Sequence, residues 1–261
     1  MALVTVDLHD ALATVTLRRP EARNALTVQM KQDFLAALDV VHGADGVRAV
    51  LLRAEGPAFC VGQDLGEHAE ALATDGDTAL STVREHYNRI VSGIAGFEVP
   101  VVVAITGACV GAGLGFALAG DIRIVADDAK FATAFTGIGL ASDSGLARAL
   151  ARQVGVGRAT DLLLRAEPFD AAQARTWGLV QQVEPAADVD RVAHEVATRL
   201  AAGPTLAYAR VKDLLRDVMT QDLETALERE ATAQEELAGT ADHQGAVQAF
   251  LNKQRPRFAG T

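Results

Sequence analysis

The stretch VPVVVAITGACVGAGLGFALAGDIRIVADDAKF, residues 99–131, decides the fold class of this chain. Its β-branched run VVVAI is typical of a buried strand, TGACVGAG of a glycine-rich turn, and LGFALAG of the start of a buried helix. DIRIVADDAKF then begins the next strand. Residues 99–120 carry no charge over roughly the length of a membrane span. Their internal order and the acidic segments on both sides nevertheless favour strand, turn and helix.

The same order of strand, turn and helix recurs along the chain with loose similarity. It is seen in LVTVDL and LATVTLRRP before NALTVQMKQDFLAALDVV, and in VRAVLLRAEG before FCVGQDL. We therefore predict an α/β fold of repeating β-β-α units, with a core over residues 1–200. From Pro204 onward amphipathic helical stretches replace the strands, which predicts a C-terminal helical region over residues 201–261.

Composition narrows the classes of function. The chain has 261 residues, of which 49% are hydrophobic, and a formal net charge of −10. This acidic balance argues against a nucleic acid or an anionic membrane as partner. Cys60 and Cys109 have apolar neighbours and no metal-ligand spacing, while Asp127 and Asp128 are typical of a solvated turn. We therefore expect no disulfide, no metal site, no export signal and a cytoplasmic location.

Two glycine-rich turns are candidates for a binding site. In AFCVGQDL, residues 58–65, Gly62 allows a sharp turn that leaves the next backbone N–H free to face a pocket. In GACVGAGLG, residues 107–115, the first N–H groups of a helix would be unpaired. Each pattern is also typical of an ordinary tight strand-to-helix turn. A dinucleotide site is a weaker alternative, because the glycine spacing differs from that fingerprint.

Five segments, in this order, resemble the crotonase superfamily of enoyl-CoA hydratases and isomerases: RPEARNAL, AFCVGQDL, GACVGAGLGFALAGDIRIVADDAKF, TWGLV and FLNKQRPRF. The resemblance implies a crotonase-like spiral of β-β-α units, a C-terminal helical trimerisation region, and a homotrimer or dimer of trimers. It also implies an acyl-CoA thioester substrate, so that coenzyme A belongs to the substrate and no cofactor is permanently bound. The thioester oxygen would accept hydrogen bonds from the backbone N–H groups of Gln63 and Ala112.

Two departures from the family pattern change the expected reaction. The hydratases carry two glutamates that orient and activate water, and the matching positions here hold Gly115 and Phe135. Neither side chain can transfer a proton, so efficient hydration is not expected. Within FATAFTGIGLASDSGL, residues 131–146, Asp143 matches the acid of the ring-epoxide isomerases of phenylacetyl-CoA breakdown and of related enoyl-CoA isomerases.

Asp143 therefore has two interpretations, which are compatible. As an acid/base it would move one proton between two carbons of an enoyl-CoA, with apolar neighbours such as Phe135, Ile138 and Leu140 raising its pKa. As a helix cap, either Ser142 or Asp143 would accept from the free N–H groups of the helix that follows.

Three other functions stay open on the sequence. An enoyl-CoA hydratase would need an acid that the motifs do not identify. An aryl-CoA dehalogenase would use Asp143 as a nucleophile, but the resemblance then requires a tryptophan at Phe135 and a histidine at Asn88. The nearby His86 does not match that position and is expected on the helix surface or at the pocket rim. A catalytically silent acyl-CoA-binding protein would account for the loss of both glutamates.

The substrate-binding candidates follow from the same resemblance. Arg23 and Lys253 could meet the phosphates or the adenine of CoA, although a solvated role is the ordinary one for such residues. Asp64 could shape the thioester pocket or stabilise its own turn. Residues 66–86 are the predicted substrate wall, which we expect to be mobile. The full set is Arg23, Ala25, Gly62, Asp64, Leu65, Gly111, Phe135, Leu140, Phe250 and Lys253.

Overall fold

The computed structural model describes residues 2–76 and 78–261 of the chain. The strands in these residues are β1 (Val4–His9), β2 (Leu12–Leu17), β3 (Ala49–Ala54), β4 (Ala58–Cys60), β5 (Val101–Ile105), β6 (Ala108–Val110), β7 (Ile122–Ala126), β8 (Lys130–Ala132), β9 (Phe169–Asp170) and β10 (Gln182–Glu184). The α-helices are α1 (Val28–His42), α2 (Leu65–Thr74), α3 (Asn88–Gly96), α4 (Ala112–Ala119), α5 (Leu146–Val154), α6 (Val156–Arg165), α7 (Ala171–Thr176), α8 (Val189–Ala201), α9 (Thr205–Arg216), α10 (Leu223–Ala238) and α11 (Ala241–Leu251). Within the same residues, no helix combines the length and the apolar character that a membrane span needs.

The strands form two sheets. The larger sheet has the order β1-β2-β3-β5-β7-β10, and the smaller one has the order β4-β6-β8-β9. In the larger sheet β1 and β2 pair antiparallel, and the later pairings are parallel. The consecutive strand pairs β3 and β4, β5 and β6, and β7 and β8 are each divided between the two sheets. This division confirms the predicted β-β-α repeats and the α/β fold class.

Strand β6 lies within TGACVGAG, where the sequence predicts only a glycine-rich turn. Cys109 of β6 is registered with Cys60 of β4 on one side and with Phe131 of β8 on the other. Both thiols are buried and free. A three-residue strand between glycines carries almost no pattern of its own, so its pairing partners determine it.

Helix α4 lies inside the molecule. It is apolar on all sides, and its residues from Ala112 to Leu118 are buried. Phe116 meets Phe34 of α1 edge to face, with ring centroids 5.7 Å apart. At Gly113 a Cβ would lie 2.5 Å from the Cys60 carbonyl oxygen, so glycine is what allows α4 to start this close to β4. The start of α4 and the end of β4 are therefore neighbours.

The segment after Pro204 folds into α9, α10 and α11, as the amphipathic pattern predicts. Lys212 ties α9 to the core, because its Nζ donates to the Asp121 carboxylate at 2.5 Å and to the Val99 carbonyl at 2.9 Å. Large apolar side chains on these helices are exposed in the single chain, among them Leu206, Leu215, Leu223, Leu227 and Phe250. The division of the chain at residue 200 and the trimerisation role stay predictions.

Candidate active site

Two turns meet where the sequence predicts a pair of backbone donors. Gly62 follows β4 with a φ of +84°, and a Cβ on it would lie 3.3 Å from the Val110 carbonyl oxygen and 3.6 Å from the Ala112 nitrogen. Gly111 precedes α4 with a φ of +58°. Both backbone conformations favour glycine. The close approach brings Gln63 and Ala112, which follow these glycines, onto adjoining turns.

The N–H groups of Gln63 and Ala112 have no acceptor among the described residues. Leu26 and Gln63 form a parallel bridge, in which the Leu26 amide donates to Gly62 and the Asp64 amide donates to Leu26. In such a bridge the bonded groups belong to the neighbours of Gln63, and the N–H of Gln63 itself points away from Leu26. Ala112 is the first residue of α4, where an N–H has no partner within the helix. Two free donors therefore flank the junction of the turns.

Asp143 lies in the loop that precedes α5, and its side chain is half-buried. The Ser144 hydroxyl donates to Asp143 Oδ1 at 2.7 Å. Burial raises the pKa of Asp143, and the hydrogen bond from Ser144 offsets part of that effect. The carboxylate is therefore a stronger base than an exposed aspartate.

The predicted cap at the start of α5 is wrong. Gly145 occupies the cap position with a φ of +66°, and no side chain accepts from the first turn of this helix. The Leu146 amide instead donates to the Asp143 main-chain carbonyl at 3.0 Å. A left-handed glycine satisfies the backbone geometry here, so neither Ser142 nor Asp143 is needed as a cap. The side chain of Asp143 therefore has no capping role, and its described hydrogen bond is the one from Ser144.

The loop that carries Asp143 packs directly on α4. At Gly115 a Cβ would lie 2.6 Å from Ser144 Cβ and 2.7 Å from the Ser144 carbonyl oxygen. Ser144 therefore fills the space that a side chain at position 115 would need, where the resemblance places a hydratase glutamate. The same contact holds the Asp143 loop one helical turn away from Ala112.

Phe135 and Leu140 flank the same junction. Phe135 begins a short 3₁₀ turn, Phe135–Ile138, and its Cζ lies 3.9 Å from the place of a Cβ on Gly111. The Leu140 amide donates to the Phe135 carbonyl at 3.0 Å. Ile138, by contrast, is 58% exposed and contributes little to the burial of a carboxylate. The second glutamate position is thus filled by an aromatic ring beside the Gly111 turn.

A buried polar cluster lies behind Gln63. Its side-chain Oε1 accepts from the Tyr87 hydroxyl and from Lys31 Nζ, the latter at 3.4 Å. Lys31 Nζ also donates to Thr82 Oγ1 at 2.7 Å, and that hydroxyl contacts His86 Nδ1 at 3.1 Å. Burial and, more weakly, the charge of Asp143 raise the pKa of Tyr87, so its hydroxyl stays protonated and donates. Burial and the charge of Lys31 lower the pKa of His86.

The sequence motifs do not predict the places of Lys31, Thr82 and Tyr87 beside Gln63. A signal for Lys31 is present, because it stands three residues before Phe34 and seven before Leu38, on the apolar stripe of α1. Tyr87 and His86 lie in a single π-helical turn, Val83–Tyr87, that leads into α3. Such turns depend on tertiary context and have no simple sequence pattern.

The other predicted substrate-binding residues differ in their burial and in their contacts. Asp64 caps α2 by accepting from the Glu67 amide and pairs with Arg19 at 2.6 Å, which lowers its pKa. These contacts favour its turn-stabilising interpretation. Ala25 is buried, and its carbonyl accepts from Arg19. Arg23, Leu65, Phe250 and Lys253 are exposed, and their contacts with a substrate stay predictions.

Residues 66–86, the predicted substrate wall, contain most of α2 and most of the π-helical turn. Asp77 within this segment lies outside the described residues. Across the described residues, no group of histidine, cysteine, aspartate or glutamate side chains is arranged to hold a metal ion.

Comparison with known proteins gives consistent matches. The model of the family described as enoyl-CoA hydratase/isomerase matches residues 7–261. A Rhodobacter capsulatus protein named "Probable enoyl-CoA hydratase" is 39% identical over 98% of each chain. The 1,2-epoxyphenylacetyl-CoA isomerase of Escherichia coli is 34% identical over 100% of this chain and 99% of its own. A crystal structure of a Mycobacterium abscessus protein, described as an enoyl-CoA hydratase/isomerase, has a TM-score of 0.97 and 51% identity over 99% of this chain and 100% of that chain.

Proposed function

Because the chain belongs to the enoyl-CoA hydratase/isomerase family, we propose that it is an isomerase of enoyl-CoA thioesters that works through one aspartate. Its reaction shifts a double bond, or opens and rearranges a ring epoxide, in the acyl group. Family membership and the crotonase fold make the chain an acyl-CoA enzyme. The observation that carries the isomerase assignment is Asp143, a half-buried carboxylate beside a helix whose first amide is free.

The double-bond shift needs one group that takes a proton and returns it. Asp143 removes a proton from the α-carbon of a β,γ-enoyl thioester, and the electron pair moves through the double-bond system onto the thioester oxygen. The protonated carboxyl then delivers the proton to the γ-carbon, which yields the α,β-enoyl thioester. No atom is gained or lost, so a single carboxylate with a raised pKa is sufficient.

The amides of Gln63 and Ala112 stabilise the intermediate charge in this mechanism. The negative charge on the thioester oxygen is greatest in the enolate, and two fixed donors favour that state over the neutral carbonyl. Ala112 also stands at the N-terminus of α4, where the helix dipole adds a partial positive charge. The oxygen-binding role therefore falls to backbone groups that no side-chain substitution removes.

Hydration is the second candidate, favoured by the name of the Rhodobacter relative. It requires a positioned water and a second proton-transfer group, whereas Gly115 and Phe135 offer none. An aryl-CoA dehalogenase and a silent acyl-CoA-binding protein are the further alternatives. We propose, on the family resemblance, that the enzyme works in the cytoplasm as a homotrimer or dimer of trimers with acyl-CoA as its ligand.

A substrate panel with Asp143→Asn tests the assignment. The panel contains β,γ-enoyl-CoA esters, a phenylacetyl-derived ring-epoxide CoA ester, a 4-halobenzoyl-CoA and crotonyl-CoA. We expect isomerisation by the wild type, little hydration of crotonyl-CoA, and a loss of about 10²-fold or more in isomerisation for the Asn variant. Affinity for CoA esters should change little, because asparagine keeps the shape of the side chain.

Results that differ from these expectations each point to a different function or a different catalytic residue. Near-normal isomerisation by the Asn variant removes Asp143 from the mechanism. Fast hydration of crotonyl-CoA shows that an acid outside Gly115 and Phe135 serves the site. Release of halide from the halobenzoyl ester supports the dehalogenase, and binding without any turnover supports the silent member.

A further inference from the structure

Lys31 is a buried cation that forms no ion pair with any residue that the structure describes. Its relative exposure is 0%, and none of the described carboxylates lies within 4.0 Å of its Nζ. The ammonium instead donates to Thr82 and Gln63 and lies 5.4 Å from the centre of the Tyr87 ring. Burial lowers the pKa of Lys31, while the more distant charges of Glu67 and Asp64 raise it.

The charges of Glu67, Asp64 and Glu85 act on Lys31 without direct contact, and the first two carboxylates have other partners. The Glu67 carboxylate accepts from the Val28 amide at the start of α1. Asp64 pairs with Arg19 and caps α2. Neither neutralises the Lys31 ammonium by direct contact. A charge taken out of water without a paired counter-charge reduces the stability of a fold, and two neutral acceptors and one aromatic ring recover only part of that loss.

This charge contacts the side chain of Gln63, one of the two residues whose backbone N–H groups form the predicted oxyanion site. Lys31 Nζ lies 3.4 Å from Oε1 of Gln63, the residue whose backbone N–H faces the junction of the two turns. Negative charge that develops on a thioester oxygen near that amide would be attracted by a fixed cation in a poorly solvated interior. A neutral carbonyl gains little from the same cation, so the interaction favours the enolate over the bound substrate.

We propose that Lys31 is a positioning residue whose buried ammonium orients Gln63 and stabilises the enolate oxygen through it. The proposal rests on the proposed function in one respect, the assignment of the Gln63 amide as a donor to the thioester oxygen. It requires no particular acyl chain and no step carried out by Lys31 itself.

The test compares Lys31→Met and Lys31→Gln with the wild type. Methionine removes both the charge and the donor, whereas glutamine removes the charge and keeps a donor for Thr82. Lys130→Met is the charge-matched control, because Lys130 is 64% exposed at the start of β8. The first readout is the carbonyl stretching frequency of bound butyryl-CoA with a ¹³C-labelled carbonyl, measured by infrared difference spectroscopy. The second is kcat and KM for a β,γ-enoyl-CoA.

We expect both Lys31 variants to lose much of the shift to lower frequency that binding produces in the wild type. Their kcat should fall by about tenfold or more, with a smaller change in KM. Their melting temperatures should not fall, because an unpaired buried charge has been removed. Lys130→Met should behave as the wild type.

Two results would overturn the proposal. In the first, both Lys31 variants, or Lys31→Met alone, keep the wild-type frequency and kcat. In the second, Lys31→Gln alone keeps them, which would show that the hydrogen bond to Thr82 matters rather than the charge. Failure of the proposed function is seen separately, since Asp143→Asn should lose about 10²-fold or more in turnover and keep the carbonyl shift. Absence of any shift in the wild type would remove the Gln63 assignment and this proposal with it.

Discussion

At the scale of single residues, Asp143 illustrates how a half-buried carboxylate weakens the fold that holds it. Burial makes its charged form less favourable in the folded state, which raises its pKa. Because an unfolded chain restores the ordinary pKa, the folded protein binds more protons than the unfolded one between the two values. Stability therefore falls as the pH rises through that window, and the penalty persists above the raised pKa.

This linkage predicts that Asp143→Asn stabilises the enzyme near neutral pH, although the same variant should lose about 10²-fold or more in turnover. Asparagine has no charge to bury, and its oxygen can still accept from Ser144. The melting temperature of the variant should exceed that of the wild type at pH 7, and the difference should shrink as the pH falls towards the ordinary aspartate pKa. Calorimetric scans of both proteins across this range provide the measurement. A variant that melts lower than the wild type at pH 7 would contradict it.

The same pKa shift predicts the pH dependence of the reaction. The proposed mechanism needs the ionised carboxylate of Asp143, so kcat/KM should decline on the acid side with an inflection above the ordinary value for aspartate. Initial rates with a β,γ-enoyl-CoA between pH 4 and about pH 8 test this, with structural integrity checked at each pH. If the acid-side inflection of kcat/KM instead lies at the ordinary pKa of aspartate, burial does not raise the pKa of Asp143 in the active enzyme.

Gly115 gives a second prediction at this scale. Because Ser144 occupies the space of a side chain, Gly115→Ala should cost about 1–3 kcal/mol of unfolding free energy. Gly115→Glu should be at least as destabilising and should not confer hydration of crotonyl-CoA. Gly157→Ala, where the added Cβ meets nothing within 4 Å, is the matched control for urea unfolding. Rapid hydration by the Gly115→Glu enzyme would show that the Asp143 loop yields readily.

Much of the site can be predicted from sequence because its residues stand in local motifs. Gly62, Gln63, Gly111 and Ala112 belong to turns whose backbone requirements are visible as glycine spacing. The polar cluster around Lys31 could not be predicted in the same way, because it joins α1, the β4 turn and the π-helical turn, which are distant in sequence. The predicted side-chain cap at Ser142 or Asp143 is wrong, because Gly145 occupies the cap position of α5 in a left-handed backbone conformation and no side chain accepts there.

At the scale of elements, the contact between α4 and β4 sets the distance between the two donor turns. Gly113 is where they approach most closely, since an added Cβ would meet the Cys60 carbonyl oxygen and Cβ. The long strands β3 and β5 and the amphipathic helices follow from periodicity in the sequence. Strand β6 does not, because three residues between glycines acquire their structure from β4 and β8.

Gly113→Ala should therefore reduce both stability and activity. The added methyl group must push α4 away from β4, which costs about 1–3 kcal/mol and displaces the Ala112 amide from Gln63. We expect a kcat reduced by about tenfold or more in a protein that still folds, as judged by circular dichroism. The Gly157→Ala enzyme again serves as the control. Full activity in Gly113→Ala would mean that the relative position of the two turns is not critical.

At the scale of the whole molecule, the C-terminal helices leave apolar side chains uncovered. Leu223 is 74% and Phe250 is 82% exposed in the single chain. Large apolar side chains that a single chain leaves exposed on several helices are typical of an interface between subunits. We predict a mass of three or six times 27.4 kDa by light scattering at micromolar concentration. A stable monomer would contradict this and would leave Phe250 and Lys253 without a route to a neighbouring subunit's ligand.

The two buried sulfur atoms have a practical consequence for observing the enzyme at work. Burial raises the pKa of Cys60 to about 12 and that of Cys109 well above its ordinary value, so neither is a reactive thiolate at neutral pH. Thiol-directed dyes should therefore label the wild type very little. A cysteine introduced at Leu72, half exposed on α2, would be the single place where a fluorophore attaches. Its emission would then report on the proposed substrate wall as acyl-CoA binds.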